Sequence, residues 1–93
     1  MAYKIQFETD YAPNEEQRVA EANTLDEATA IATAAFKEKA DGYASNGYCT
    51  TFTVDSPIED NCHNVVGCLM VAGFHNKKTN EVAVELARVL PED

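Results

Sequence analysis

The stretch Thr24-Leu25-Asp26-Glu27-Ala28-Thr29-Ala30-Ile31-Ala32-Thr33-Ala34-Ala35-Phe36-Lys37-Glu38-Lys39-Ala40 decides how this chain is read. Thr24 and Glu27 have the spacing of a capping box, in which each side chain satisfies a backbone N–H that the first helical turn leaves open. Asp26 and Glu27 oppose the positive end of the helix dipole. Leu25, Ala28, Ile31, Ala32, Ala35 and Phe36 recur at helical spacing and make one apolar stripe. The alanines in that stripe let a helix lie close against a sheet. Lys37 and Lys39 suit a last turn, and Gly42 suits a left-handed C-cap. The spacing predicts a helix over 25–40.

On both sides of it the period changes to two. Tyr3, Ile5, Phe7 and Thr9 alternate with Lys4, Gln6, Glu8 and Asp10, the pattern of a half-buried strand. Tyr11-Ala12-Pro13-Asn14 has turn chemistry, and a weaker strand is expected over 17–22. After a loop from Gly42 to Gly47, Tyr48, Thr50, Phe52 and Val54 alternate with Cys49, Thr51 and Thr53. Residues 55–64 read as a polar, acidic loop, long for a hairpin. Residues 65–75 are nearly all apolar, which suits a strand inside the sheet, and Gly67 and Gly73 mark bulges or close backbone approach. Asn76–Asn80 is a turn. Residues 81–90 fit a strand through Val82, Val84, Leu86 and Leu90, with Arg88 as the exception; the alternative is a helix. The valines favour the strand. The expected fold is a single α+β domain over 1–93, with one helix on an antiparallel sheet of four to five strands in the order β-β-α-β-β-β.

The chain has 93 residues, with 16 Asp and Glu against 7 Lys and Arg, a formal net charge of −9, yet 45% of it is hydrophobic. Disordered acidic tails are poor in apolar residues, so this charge belongs to a chain patterned to fold. It repels nucleic acid and anionic membrane and attracts basic surfaces. No apolar run is long enough to span a bilayer, and the N-terminus has no signal-peptide pattern. A cytosolic location is expected. A domain this short has a small core, which dimerisation would support.

Catalytic and metal signals are thin. Cys49, Cys62, Cys68, His63 and His75 include zinc-binding types, but Cys62 and His63 are adjacent rather than spaced as a ligand pair. Three cysteines form no disulfide framework and read as buried free thiols. Cys62 with His63 or His75 and Asp60 contains the residue types of a thiol nucleophile. Its acidic loop would raise the thiol pKa, not lower it. No catalytic residue, cofactor or metal is assigned.

The remaining signal is where the acids fall. Glu8, Asp10, Glu15, Glu16, Glu21, Asp26 and Glu27 form one group, Asp55, Glu59 and Asp60 a second, and Glu81, Glu85, Glu92 and Asp93 a third. Alternate strand residues stand ~6.7 Å apart, close to two phosphate steps of ~3.4 Å on one DNA strand. Glu8, Asp10, Glu15, Glu16, Glu21, Asp55, Glu59 and Asp60 are therefore the candidate contacts for a basic protein surface.

The segment Val19-Ala20-Glu21-Ala22-Asn23-Thr24-Leu25-Asp26-Glu27-Ala28 resembles the strand-to-helix entry of HicB-type antitoxins. The Pro-Asp-Leu-Pro-Gly-like segment expected before it and a DNA-binding tail are absent. In size, negative charge and a single helix on an antiparallel sheet, the whole chain resembles the small acidic anti-CRISPR proteins of phages. That resemblance implies a non-enzymatic inhibitor covering the nucleic-acid-binding surface of a host complex in the cytoplasm. The alternative is an antitoxin-like or dimeric protein-binding module, with apolar contacts near Leu69, Phe74 or Val84.

Overall fold

In the computed structural model, which describes residues 3–9, 15–18 and 22–92 (Thr9 and 15–18 by their backbone), helix α1 spans Leu25–Ser45. Its N-terminus is built as the sequence implies. The Glu27 N–H donates to Thr24 Oγ1 at 3.2 Å, and the Asn23 N–H donates to Glu27 Oε2 at 2.9 Å, one residue further back than in the usual box. The C-terminus differs from expectation. α1 runs past Ala40 to Ser45 with Gly42 inside it, and its last turn holds no basic residue. A glycine there costs roughly 1 kcal/mol against alanine. Tyr43 offsets that cost: its ring stacks on Phe74 at 4.4 Å between centroids and meets Tyr48 edge-on at 5.2 Å. The left-handed residue is Gly47, at φ 88°, just after the C-cap Asn46. Ile31, assigned to the apolar stripe, is exposed, while Ala28 and Ala32 are buried.

Strands β1 (Tyr3–Thr9), β2 (Glu15–Arg18), β3 (Tyr48–Glu59), β4 (Val65–Asn76) and β5 (Val82–Pro91) form one antiparallel sheet. Their spatial order is β2-β1-β5-β4-β3. The fold is therefore the expected α+β one, and the last element is a strand. β2 starts at Glu15 rather than at residue 17; residues 19–21 and the turn expected at 11–14 lie outside the described residues. β4 lies between β5 and β3, as its apolar run implies.

Two readings of β3 are corrected. Its strand continues through Asp55–Glu59, so the connection to β4 is only Asp60–Asn64. Its faces are not one alternating series, because Thr50 pairs with Phe74 while Phe52 pairs with Gly73. Thr51 is thus an extra residue, and a one-residue slip moves every later side chain to the opposite face. Tyr48, Thr50, Thr53, Asp55 and Pro57 lie on the helix side; Cys49, Phe52, Val54 and Ser56 lie on the other. A second irregularity leaves Val66 extra on β4. The two glycines mark close approaches, as read. A Cβ at Gly67 would strike the Val89 carbonyl oxygen, and one at Gly73 would strike the Phe52 ring.

The core lies between α1 and the side of the sheet carrying Tyr3, Ile5, Phe7, Met70, Phe74 and Val89. Six of the twelve buried hydrophobic residues among those described are alanine. An alanine-lined helix ~10 Å across sits close on the middle strands and cannot cover a sheet of five. β3 is therefore exposed along nearly its whole length.

Candidate functional site

The gap between α1 and the outlying β3 is a groove of about 650 Å³. Leu25, Phe36, Cys68 and Met70 supply apolar lining, and Asp26 and Asp55 bring a carboxylate from each wall. Asp26 comes from the first turn of α1, where the cap fixes the backbone. Asp55 reaches the helix side of β3 because the Thr51 bulge reverses the alternation. Both are exposed, and Lys37 also lines the groove, although its Nζ is already 3.1 Å from Asp41 Oδ2. On the floor, Thr29 Oγ1 lies 3.6 Å from Cys68 Sγ, and Thr33 Oγ1 lies 3.7 Å from Met70 Sδ.

The expected acidic contacts do not make one patch. Asp55 joins the groove. Glu59 ends β3 close by, with His63 Nδ1 at 3.8 Å. Glu8 is on the opposite face of the sheet, half-buried, with Arg88 Nη1 at 3.6 Å. That contact explains the misfit of Arg88 in β5: it is a polar member of the face away from the helix. Glu15 and Glu16 pair through their backbone with Phe7 and Gln6 in β1. Asp10 and Glu21 lie outside the described residues. Asp26, read from sequence as a helix-dipole residue within the first acidic group and not among the candidate contacts, lines the same groove as Asp55. Nothing in the local pattern reveals that, since it depends on where α1 crosses the sheet.

Asp60 builds the β3–β4 turn. Its Oδ1 accepts from the Asn64 N–H at 3.0 Å and the Cys62 N–H at 2.8 Å, and His63 takes φ 64°. Those backbone donors, Asn64 foremost and then Cys62, hold the Asp60 carboxyl below the usual Asp range. Because the folded value is depressed, the contribution to stability is complete above the unfolded value and is lost as pH falls through the folded one. In an NMR titration the Asp60 carboxyl should have its midpoint below that of an unconstrained Asp, with the Cys62 and Asn64 amides moving in step. A midpoint at the ordinary Asp value would contradict this geometry.

The three cysteines and two histidines are spread over β3, the β3–β4 turn and β4. Cys49 and Cys62 are exposed and Cys68 half-buried, so the reading of three buried thiols is corrected; all three are free. Edge position explains it: Cys49 is on the outermost strand and Cys62 in a turn. His63 belongs to the β3–β4 turn, whereas His75 Nε2 pairs with Asn80 Oδ1 at 2.8 Å near the β4–β5 turn, at the other end of the sheet. Cys49 pairs with His75 across β3 and β4, on the face of the sheet away from the helix. Among the described residues no three His, Cys, Asp or Glu side chains gather as a metal site. No described helix is long and apolar enough to cross a membrane. Comparison with known proteins gives no matching family model, no matching curated protein and no matching solved structure.

Proposed function

We propose that this protein is a non-enzymatic binding module that holds a basic segment of a protein partner in the groove between α1 and β3. The observation that carries the reading is that Asp26 from α1 and Asp55 from β3 both line one groove with an apolar floor. Arg and Lys suit such a site, since their aliphatic stems pack on apolar surface while the heads meet carboxylates. Glu27, Glu59 and Asp60 stand at the same end of the molecule, whereas Lys77 and Lys78 occupy the β4–β5 turn at the other. That polarity would steer a cationic surface to the groove end. If the bound segment is one that normally grips phosphates, the protein blocks nucleic-acid binding without touching nucleic acid. This is how the resemblance to small acidic phage inhibitors would be realised, with the host cytoplasm as its place of action.

An arginine-rich peptide tests the reading by calorimetry. Binding should be present at low salt and weaken as salt screens the pair. The double reversal Asp26→Lys with Asp55→Lys should abolish it, and Lys77→Glu with Lys78→Glu should not weaken it. Equal binding by the groove reversal would defeat the proposal.

A further inference from the structure

The helix covers one face of the sheet, and no described element lies over the other. The aliphatic side chains are divided unevenly between the two. The helix-covered core is half alanine by number, whereas three of the chain's four leucines (Leu69, Leu86 and Leu90) point to the bare face. Val71 pairs with Leu86 and with Val54 there, and Phe52 lies over Gly73. Phe52 and Val54 are about half exposed, at 47% and 48%. A sheet face meeting water alternates to polar residues; this one alternates to the larger aliphatics.

Charge shows the same bias. The chain carries −9 overall, but on this face the described strands place Lys4, Glu8 and Arg88, with Glu16 and Arg18 of β2 there by register, so acids and bases nearly balance. They sit along β2, β1 and the adjoining part of β5, and Arg88 is 3.6 Å from Glu8. The acid surplus lies elsewhere, at the groove and the turns. The bare face is therefore an apolar block on β5, β4 and β3 with a nearly neutral polar margin.

We infer that this face is the interface of a homodimer, in which two copies pack their sheets face to face with the helices outside. A second copy is the occupant that fits. The face is nearly neutral, so two copies meet there without opposing like charges, although each carries a large negative charge. An interface related by a two-fold axis must be complementary to itself, and an apolar block with a paired margin meets that condition. Four strands spaced ~4.8 Å apart, with about ten residues each at ~3.3 Å, make a face of about 600 Å² before side-chain relief is added. A stable complex buries ~800 Å² per partner. Sheets so packed stand ~10 Å apart and interleave their side chains, which would bury the leucines that α1 leaves outside.

Sedimentation equilibrium tests this over a range of salt. The expected mass is twice the 10.2 kDa of one chain. The dimer should tighten as salt rises, because screening relieves repulsion between the acidic bodies while apolar burial persists. That is the opposite salt response to peptide capture in the groove, so the two proposals fail separately. Val54→Lys, at a position already half exposed in one chain, should leave the fold intact by circular dichroism and weaken dimerisation at least about tenfold, since the dimer would bury an unpaired charge. Val71→Lys should do so more strongly. A monomer at every concentration overturns the inference. So does a dimer that both lysine variants leave unchanged but a proline in the β3 edge disrupts, since the contact would then be strand pairing.

Discussion

Replacing Phe74 with alanine is expected to remove about 3–5 kcal/mol of folding stability. Domains of this length hold roughly 5–14 kcal/mol in total. The side chain is 1% exposed and forms the floor on which Tyr43 stacks. Tyr43 also donates its hydroxyl to Glu85 Oε1 at 2.8 Å, and Glu85 is itself buried. Loss of the Phe74 ring therefore leaves a cavity and also loosens the anchor of the residues after Gly42. Urea melts should show the energy, and amide exchange should rise first over 42–45. Phe52→Ala is the control. That ring is half exposed on the opposite face, so a dilute monomer should lose much less. Equal losses for the two would contradict the packing described.

Gly67→Ala is expected to cost about 1–3 kcal/mol, the range of an overpacked site. The new methyl would meet the carbonyl oxygen of Val89, and that oxygen is held by the backbone of β5 in the middle of the sheet. Nothing there can swing aside. Gly73→Ala makes the useful contrast, since its methyl would meet the ring of Phe52, a side chain with room to turn. Thermal melts of the two variants should separate, with Gly67→Ala the lower. At roughly 4–8 °C per kcal/mol for a small domain, the difference is measurable. The reverse ranking would show that β5 yields more readily than a surface phenylalanine.

What could be read in advance was what local chemistry decides. The cap at Thr24 and Glu27 and the alternation through Tyr3, Ile5 and Phe7 depend on neighbours in sequence, while Gly67 and Gly73 mark close approaches simply by lacking a Cβ inside a strand, and all appear in the fold. The misreadings share a different cause. Gly42 looked like a helix stop because the ring on which Tyr43 stacks, Phe74, comes from β4, remote in the chain. β3 looked like a single alternating strand because Thr51 carries no sign that it will be the extra residue. That one residue then decided the site: it put Asp55 on the helix side, in the groove that Asp26 also lines, and sent Phe52 and Val54 to the bare face. Seven acids between Glu8 and Glu27 looked like one patch because they are close in sequence, yet Glu8 and Asp26 belong to opposite sides of the sheet. Phe74, grouped with Leu69 and Val84 as an apolar contact, is instead sealed beneath α1.

The place of β5 between β1 and β4 has a consequence for biogenesis. Until residues 82–91 leave the ribosome, β1 has only the short β2 to pair with, and β3–β4 stands as a separate hairpin. Two-stranded ribbons are marginal in water, so neither half is secure alone. Insertion of this strand fuses them and brings Tyr3 opposite Pro91. A nascent chain stalled before Val82 should accordingly be open to proteases and chaperones, and protection should come in a single late step.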